Sequence, residues 1–190
     1  MAGGAPAPHI STHTQTFHVH FAARQVSLSQ APASPAESRC YLVRHLLHRW
    51  TPVLPEQARD LVLEHCLREG GLQPLAGEDA RATPRIHLYA AVVMPDHVHL
   101  LLSPLRDENG WPWPLVDILQ CLKSATAHRI NKLLHTSGPV WEEESFDHVL
   151  RSHEGLKNKC EYIRQNPVEA GLVQRHEDYR WLWVSPEFGF

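Results

Sequence analysis

Two histidines, His97 and His99, stand two residues apart in MPDHVHLLL, residues 94 to 102. On a strand, side chains at i and i+2 leave the same face about 6.5–7 Å apart along the chain. Two imidazoles so placed can converge on one divalent ion while the residue between them, Val98, packs the opposite face. A second pair of this kind, His18 and His20, occurs in FHVHF, residues 17 to 21. With fifteen histidines in 190 residues, spacing alone does not separate a ligand pair from ordinary histidines. Context does. His97 and His99 follow Pro95-Asp96 and run into Leu100-Leu101-Leu102, which places them on a central, rigid strand where a preorganised site is best built. His18 and His20 follow a polar, proline-containing stretch and read as the half-exposed face of an edge or near-edge strand. Position 101 is a leucine, so the alternation is not extended to a third histidine as a nucleotide-phosphate histidine triad would require.

An open metal centre takes about three protein ligands and leaves room for substrate. EYIRQNPVEAGL, residues 161 to 172, offers the third. On a helix Tyr162 and Asn166 are four apart and share a face. The amide oxygen of Asn166, mixed with imidazoles, suits a hard ion such as Mg²⁺ or Mn²⁺. Tyr162 would then lie beside the metal. A phenol with a pKa near 10 is a poor nucleophile; it attacks phosphorus only where a metal polarises the phosphate and stabilises the developing charge. From spacing alone, the reading of Tyr162 and Ile163 as core residues of an amphipathic helix is the stronger one.

The elements that must position these residues follow from apolar periodicity. Residues 1–13 are small and polar and read as a loose tail, with 14–185 as a single domain. THTQTFHVHFAAR alternates as a strand. SQAPASPAES is a loop. The spacing predicts helices over 36–50 and 55–69, the second opened by Pro55 and closed by Gly70-Gly71. RIHLYAAVVMPDHVHLLLSP predicts two strands, 85–93 and 97–102, turned at Met94-Pro95-Asp96. LVDILQCLKSATAHRINKLLH predicts a long helix. VWEEESFDHVLRS reads as short strand or irregular structure, and HEGLKNKCEYIRQN as a last helix stopped before Pro167. Interleaved helices and antiparallel turns give an α+β class, a central antiparallel sheet flanked by helices.

Composition sets outer bounds. An apolar fraction of 43% with 21% charged residues suits a soluble globular domain. The formal charge of −3 gives no global basic signal, so a nucleic-acid partner would be held by a local patch or by metal and histidines. Four cysteines without a CxxC pair argue against a zinc-thiolate site and a disulfide framework, and point to the cytoplasm. No segment approaches the roughly 20 apolar residues of a membrane helix, so no membrane partner is expected.

MPDHVHLLL, LKSATAHRIN, VWEEESFDHVLRS, YIRQNPVEAGLV and DYRW, in that order, resemble the IS200-like single-tyrosine transposases, and among them the REP-associated tyrosine transposases. The resemblance covers residues 86 to 183, with a weaker echo at FHVHFAAR. It implies a ferredoxin-like fold and a metal-dependent nuclease of the histidine–hydrophobe–histidine class acting on single-stranded DNA with hairpins, as monomer or homodimer. His97, His99 and Asn166 would hold the divalent metal, and Tyr162 would be the nucleophile, leaving a 5′-phosphotyrosine and a free 3′-OH. Asp147 and His148 match the family's aspartate–histidine pair, in a supporting role around the ligands. Lys123, Arg129 and Lys132, on one long helix, offer a modest basic strip for the DNA backbone.

Two features depart from the family. Residues 30–84 form a longer, helix-rich segment ahead of the histidine strand, and the net charge is slightly acidic. Two other functions remain open from the sequence. A domesticated hairpin-binding protein would not need Tyr162, and a metal-dependent hydrolase using water would not depend on it.

Overall fold

The computed structural model describes residues 39–48, 51, 53–73, 83–150 and 153–188. The elements run β1 (Cys40–Leu47), α1 (Glu56–Glu69), β2 (Ile86–Val93), β3 (His97–Pro104), α2 (Leu115–Leu134), β4 (Trp141–Leu150), α3 (His153–Glu169) and β5 (Leu182–Val184), with short 3-10 turns at His176–Asp178 and Pro186–Phe188. The five strands form one sheet in the order β4-β1-β3-β2-β5, antiparallel throughout. The first six elements follow the β-α-β-β-α-β order of ferredoxin-like folds. The expected α+β class and antiparallel sheet are therefore observed.

β3 lies at the centre of the sheet, and its own sequence explains why. HVHLLLSP is buried almost end to end, as a strand with helices over both faces must be. Cross-strand partners share a face, so the register Val43↔Leu100↔Ala91 defines one side and Arg44↔His99↔Val92 the other. α1 and α2 pack together. α2 reaches the Val43 side, where the Trp141 indole donates to the Thr126 hydroxyl at 2.9 Å and Trp141 meets the His45 ring. α3 packs on β2 and β3, with Leu156, Cys160 and Ile163 buried.

Several sequence expectations are corrected. The helix expected over 36–50 is, in its described part, strand β1. The leucines at 42, 46 and 47 fit a helical period, but CYLVRHLL pairs on both sides, with β3 and β4, and this tertiary pairing overrides local spacing. The described part of the 30–84 segment is therefore no insertion: it supplies β1 and α1 of the central fold. Residues 141–150, expected as a short strand or irregular, form a ten-residue edge strand, whose acidic run Glu142-Glu143-Glu144 discourages edge pairing. Residues 1–38, with His18, His20 and the expected first strand, lie outside the described residues.

The helix expected to stop before Pro167 continues to Glu169. Pro167 sits in its last turn, where the missing N–H removes a single helical bond. The end is closed by Gly171, at φ +68: its N–H donates to the Val168 carbonyl and the Leu172 N–H to the Pro167 carbonyl, a Schellman closure that favours glycine. Among the described residues no helix is long and apolar enough to cross a membrane.

If β1 is a central strand, its inward residues carry stability. Val43→Ala is expected to cost about 2 kcal/mol in urea unfolding, whereas Val53→Ala, at a residue 66% exposed, should stay within about 0.5 kcal/mol.

Candidate functional site

The site is built on the open end of β3 and one face of α3. His99 is 3% exposed, and His97, at the strand's first position, is half-buried. Their rings lie 4.9 Å apart, edge to face. His97 is oriented by the residue before it: its Nδ1 sits 2.7 Å from Oδ1 of Asp96. This is the carboxylate–imidazole arrangement that fixes a ligating histidine and leaves Nε2 available. The same contact draws the Asp96 carboxyl below the usual carboxylate range.

Burial, aided by the charges of His97 and Arg44, pulls the His99 imidazole down to about 3. His99 is therefore neutral at neutral pH, the form that binds metals. Its Nδ1 is buried and has no hydrogen-bond partner. From α3, Tyr162 closes over the pair, its ring 5.3 Å from that of His99 and its hydroxyl 3.5 Å from His99 Nε2. Tyr162 remains 37% exposed, so the phenol is reachable from solvent. Burial raises its pKa, while the charge of Arg44 and a hydrogen bond with the Asn166 side chain act in the opposite direction.

His97, His99 and Tyr162 are thus neighbours, and Asn166 joins them through its side-chain hydrogen bond with Tyr162. Among the described residues no group of three or more His, Cys, Asp or Glu side chains forms a metal site. The Asn166 amide oxygen, the oriented His97 and the neutral His99, whose Nε2 faces the Tyr162 hydroxyl, are donor types that would fit a hard divalent ion.

The other expected residues are placed elsewhere. Asp147 and His148 are successive residues of β4 and leave opposite faces of the sheet. Asp147 opposes Val43 on the helix-covered side, and His148 opposes Leu42 on the site side. They therefore do not face one another, and the carboxylate in contact with the histidine pair is Asp96. Lys123 donates to the Glu143 carbonyl at 2.6 Å and lies 3.4 Å from the Ser145 hydroxyl, while Arg129 pairs with Glu64 at 3.1 Å. Ser145 opposes His45, which puts Lys123 on the side of the sheet away from the histidines. Lys132 is exposed on the same helix. These three cations do not form a strip facing the site.

Among the described residues two cations do face it: Lys159, whose ammonium lies 5.8 Å from the centroid of the Tyr162 ring, and Arg44, which sequence reading missed because β1 was read as helix. Arg44 is exposed, is the cross-strand partner of His99, and stacks its guanidinium 5.2 Å from the ring centroid of Phe146. Its charge acts on His99, Tyr162 and Asp96 alike.

No family model matches the chain. Residues of this chain are 24% identical over 95 positions to the "Putative REP-associated tyrosine transposase" of Haemophilus influenzae, a match over 47% of this chain and 54% of that protein. The chain thus spans about half the length of that relative. In fold it is similar to a REP-associated tyrosine transposase solved bound to a REP hairpin, with a TM-score of 0.58 and 15% identity over 81% of each chain. The chain resembles REP-associated tyrosine transposases in sequence and in fold. Within this fold, the sheet presents His97 and His99 beneath the helix that bears Tyr162.

Two readings of α3 differ in what the Tyr162 hydroxyl is for. Tyr162→Phe is expected to change stability by no more than about 1 kcal/mol, whereas Ile163→Ala, at a fully buried neighbour, should cost about 2–5 kcal/mol. Chemical denaturation of both variants checks this. A loss above about 2 kcal/mol for Tyr162→Phe would return the phenol to a core role.

Proposed function

We propose that the chain is a metal-dependent single-stranded DNA transposase or endonuclease that cleaves and rejoins strands at hairpin elements through Tyr162. The observation that carries this reading is the solvent-reachable Tyr162 hydroxyl 3.5 Å from His99 Nε2, with His97 alongside. A purely structural tyrosine has no reason to meet the buried, neutral His99 beside His97 at an open surface. A hairpin-binding protein without turnover has no need of the hydroxyl.

In this reading the Tyr162 oxygen attacks the scissile phosphorus. A P–O bond to tyrosine forms, the bond to the 3′-oxygen breaks, the phenol loses its proton and the 3′-oxygen gains one. The products are a 5′-phosphotyrosine and a free 3′-OH, and the retained phosphodiester lets a 3′-OH reverse the step without external energy. His97, His99 and Asn166 would hold Mg²⁺ or Mn²⁺, which when bound supplies charge stabilisation at the phosphate. Arg44 holds a fixed positive charge beside the phenol, suited to orient a phosphate oxygen. Asp96 keeps His97 in one orientation. The REP hairpin in the similar structure supports a hairpin with unpaired flanks as the substrate class.

Purified protein mixed with Mg²⁺ and labelled single-stranded hairpin DNA is expected to give a covalent adduct on a denaturing gel. Tyr162→Phe should bind the DNA normally and give no adduct, and His97→Ala or His99→Ala should abolish cleavage, while His18→Ala and His20→Ala retain most of it. Cleavage by Tyr162→Phe without an adduct would point to a hydrolase using water.

With a net charge of −3, binding should rest on few phosphate contacts. Counterion release gives a salt slope of about 0.7 per neutralised phosphate on single strands, so a shallow slope is expected, reduced by about one such step in Arg44→Ala. Selectivity would come from unpaired bases that display their edges and faces. Titrating a flanked hairpin and a perfect duplex over a range of salt checks both points; tight duplex binding or a steep slope would contradict them.

A further inference from the structure

A cavity of about 390 Å³ opens between α1 and the segment that follows α3, lined by Glu56 and Arg59 on one side and by Leu172, Val173 and residues 178–181 on the other. Its size is at the small end of the range of roughly 300–1,000 Å³ for small-molecule sites. The histidine–tyrosine chemistry makes no use of it. DYRW, residues 178–181, was singled out in the sequence without a role, and it forms one wall.

The residues of this wall hold one another in place. The Arg59 guanidinium lies 3.5 Å from the ring centroid of Trp181. The Tyr179 hydroxyl accepts from Arg59 at 3.2 Å and donates to the Val93 carbonyl at 2.9 Å. Asp60 accepts from the Trp181 indole at 2.9 Å and from Arg180 at 2.8 Å. The Nε of Arg59 is a buried donor with no partner. Leu172, at the rim of the cavity, is 44% exposed although apolar.

The charges decide the ligand class. Two guanidiniums, Arg59 and Arg180, are matched by two carboxylates, Glu56 and Asp178, and neither acid has an ion-pair partner among the described residues. A phosphate site would not carry acids at its rim. A neutral, planar ligand with both donors and acceptors fits: guanidiniums donate to ring nitrogens and carbonyls of a nucleobase, and carboxylates accept from its amino groups. Bases also stack on arginine planes, and the Arg59 plane lies over Trp181, whose ring, like that of Tyr179, is itself buried.

Connectivity ties the cavity to the site. Leu172 directly follows the closure of α3, the helix that bears Tyr162 and Asn166. Val93, held by Tyr179 and Trp181, ends β2 just before the turn that leads to His97. We propose that this cavity binds a single unpaired nucleobase of the DNA strand engaged at Tyr162. The nucleobase specificity rests on the cavity alone, and only its belonging to the cleaved strand rests on the proposed function.

The test is a titration of the full chain with dAMP, dCMP, dGMP and dTMP, each separately, and with deoxyribose 5-phosphate as the baseless control. The readout is the NMR signal of the Trp181 indole N–H, assigned with Trp181→Phe. At least one nucleotide is expected to shift the signal saturably in the millimolar range, as befits a ligand held through its base alone. The baseless control should leave it in place. Leu172→Asp, at an exposed position, should weaken the response at least about tenfold, and Tyr162→Phe should leave it unchanged. No shift with any of the four, or an equal shift with deoxyribose 5-phosphate, would overturn the proposal. Because this readout does not involve cleavage, a chain that binds a nucleotide here yet forms no adduct with DNA would refute the proposed function and leave the cavity's assignment standing.

Discussion

The burial of His99 beneath α3 is the constraint on which the site depends. A histidine at the centre of a five-stranded sheet cannot keep a proton without a partner, so burial and the nearby cations hold it neutral. The same burial leaves Nδ1 without a hydrogen bond, a cost a fold tolerates where a buried polar group serves a function. Everything else around it is arranged by that placement. β1 brings Arg44 level with His99, β2 supplies Val92 on its other side, and α3 lays Tyr162 across it.

The two faces of the sheet divide the labour. The side covered by α1 and α2 is a conventional apolar interior in which even the polar groups are used internally: Lys123 on the Glu143 carbonyl, Arg129 on Glu64, the Trp141 indole on Thr126. The other side has one covering helix, and beyond its edge Arg44, Phe146 and Tyr162 remain in contact with solvent. A chain with a slightly acidic balance can present a local cationic and aromatic surface in this way, which is what a single-stranded partner requires.

Much of the site was legible because its signals are local. The i, i+2 histidine spacing and the i, i+4 Tyr162–Asn166 spacing each predict a shared face, and the Met94-Pro95-Asp96 turn predicts the β2–β3 hairpin. Long-range pairing was not legible. Residues 40–47 satisfy a helical period until β3 and β4 claim both edges, and with β1 misread Arg44 had no face to be assigned to. The lysine and arginine strip failed for the same reason: the partner of Arg129 is Glu64, on a different helix. Asp147 and His148 were paired by their match to the family's aspartate–histidine motif. Strand alternation, once β4 exists, separates them.

The central claim is that Tyr162, among Tyr41, Tyr89, Tyr162 and Tyr179, is the residue that becomes joined to DNA. Mass spectrometry of the peptides released from the protein–DNA adduct, after nuclease trimming, tests this most directly. The account predicts a residual 5′-linked nucleotide on the peptide that contains Tyr162 and on no other. A nucleotide on Tyr179, Tyr89 or Tyr41, or strand cleavage with every tyrosine unmodified, would contradict it.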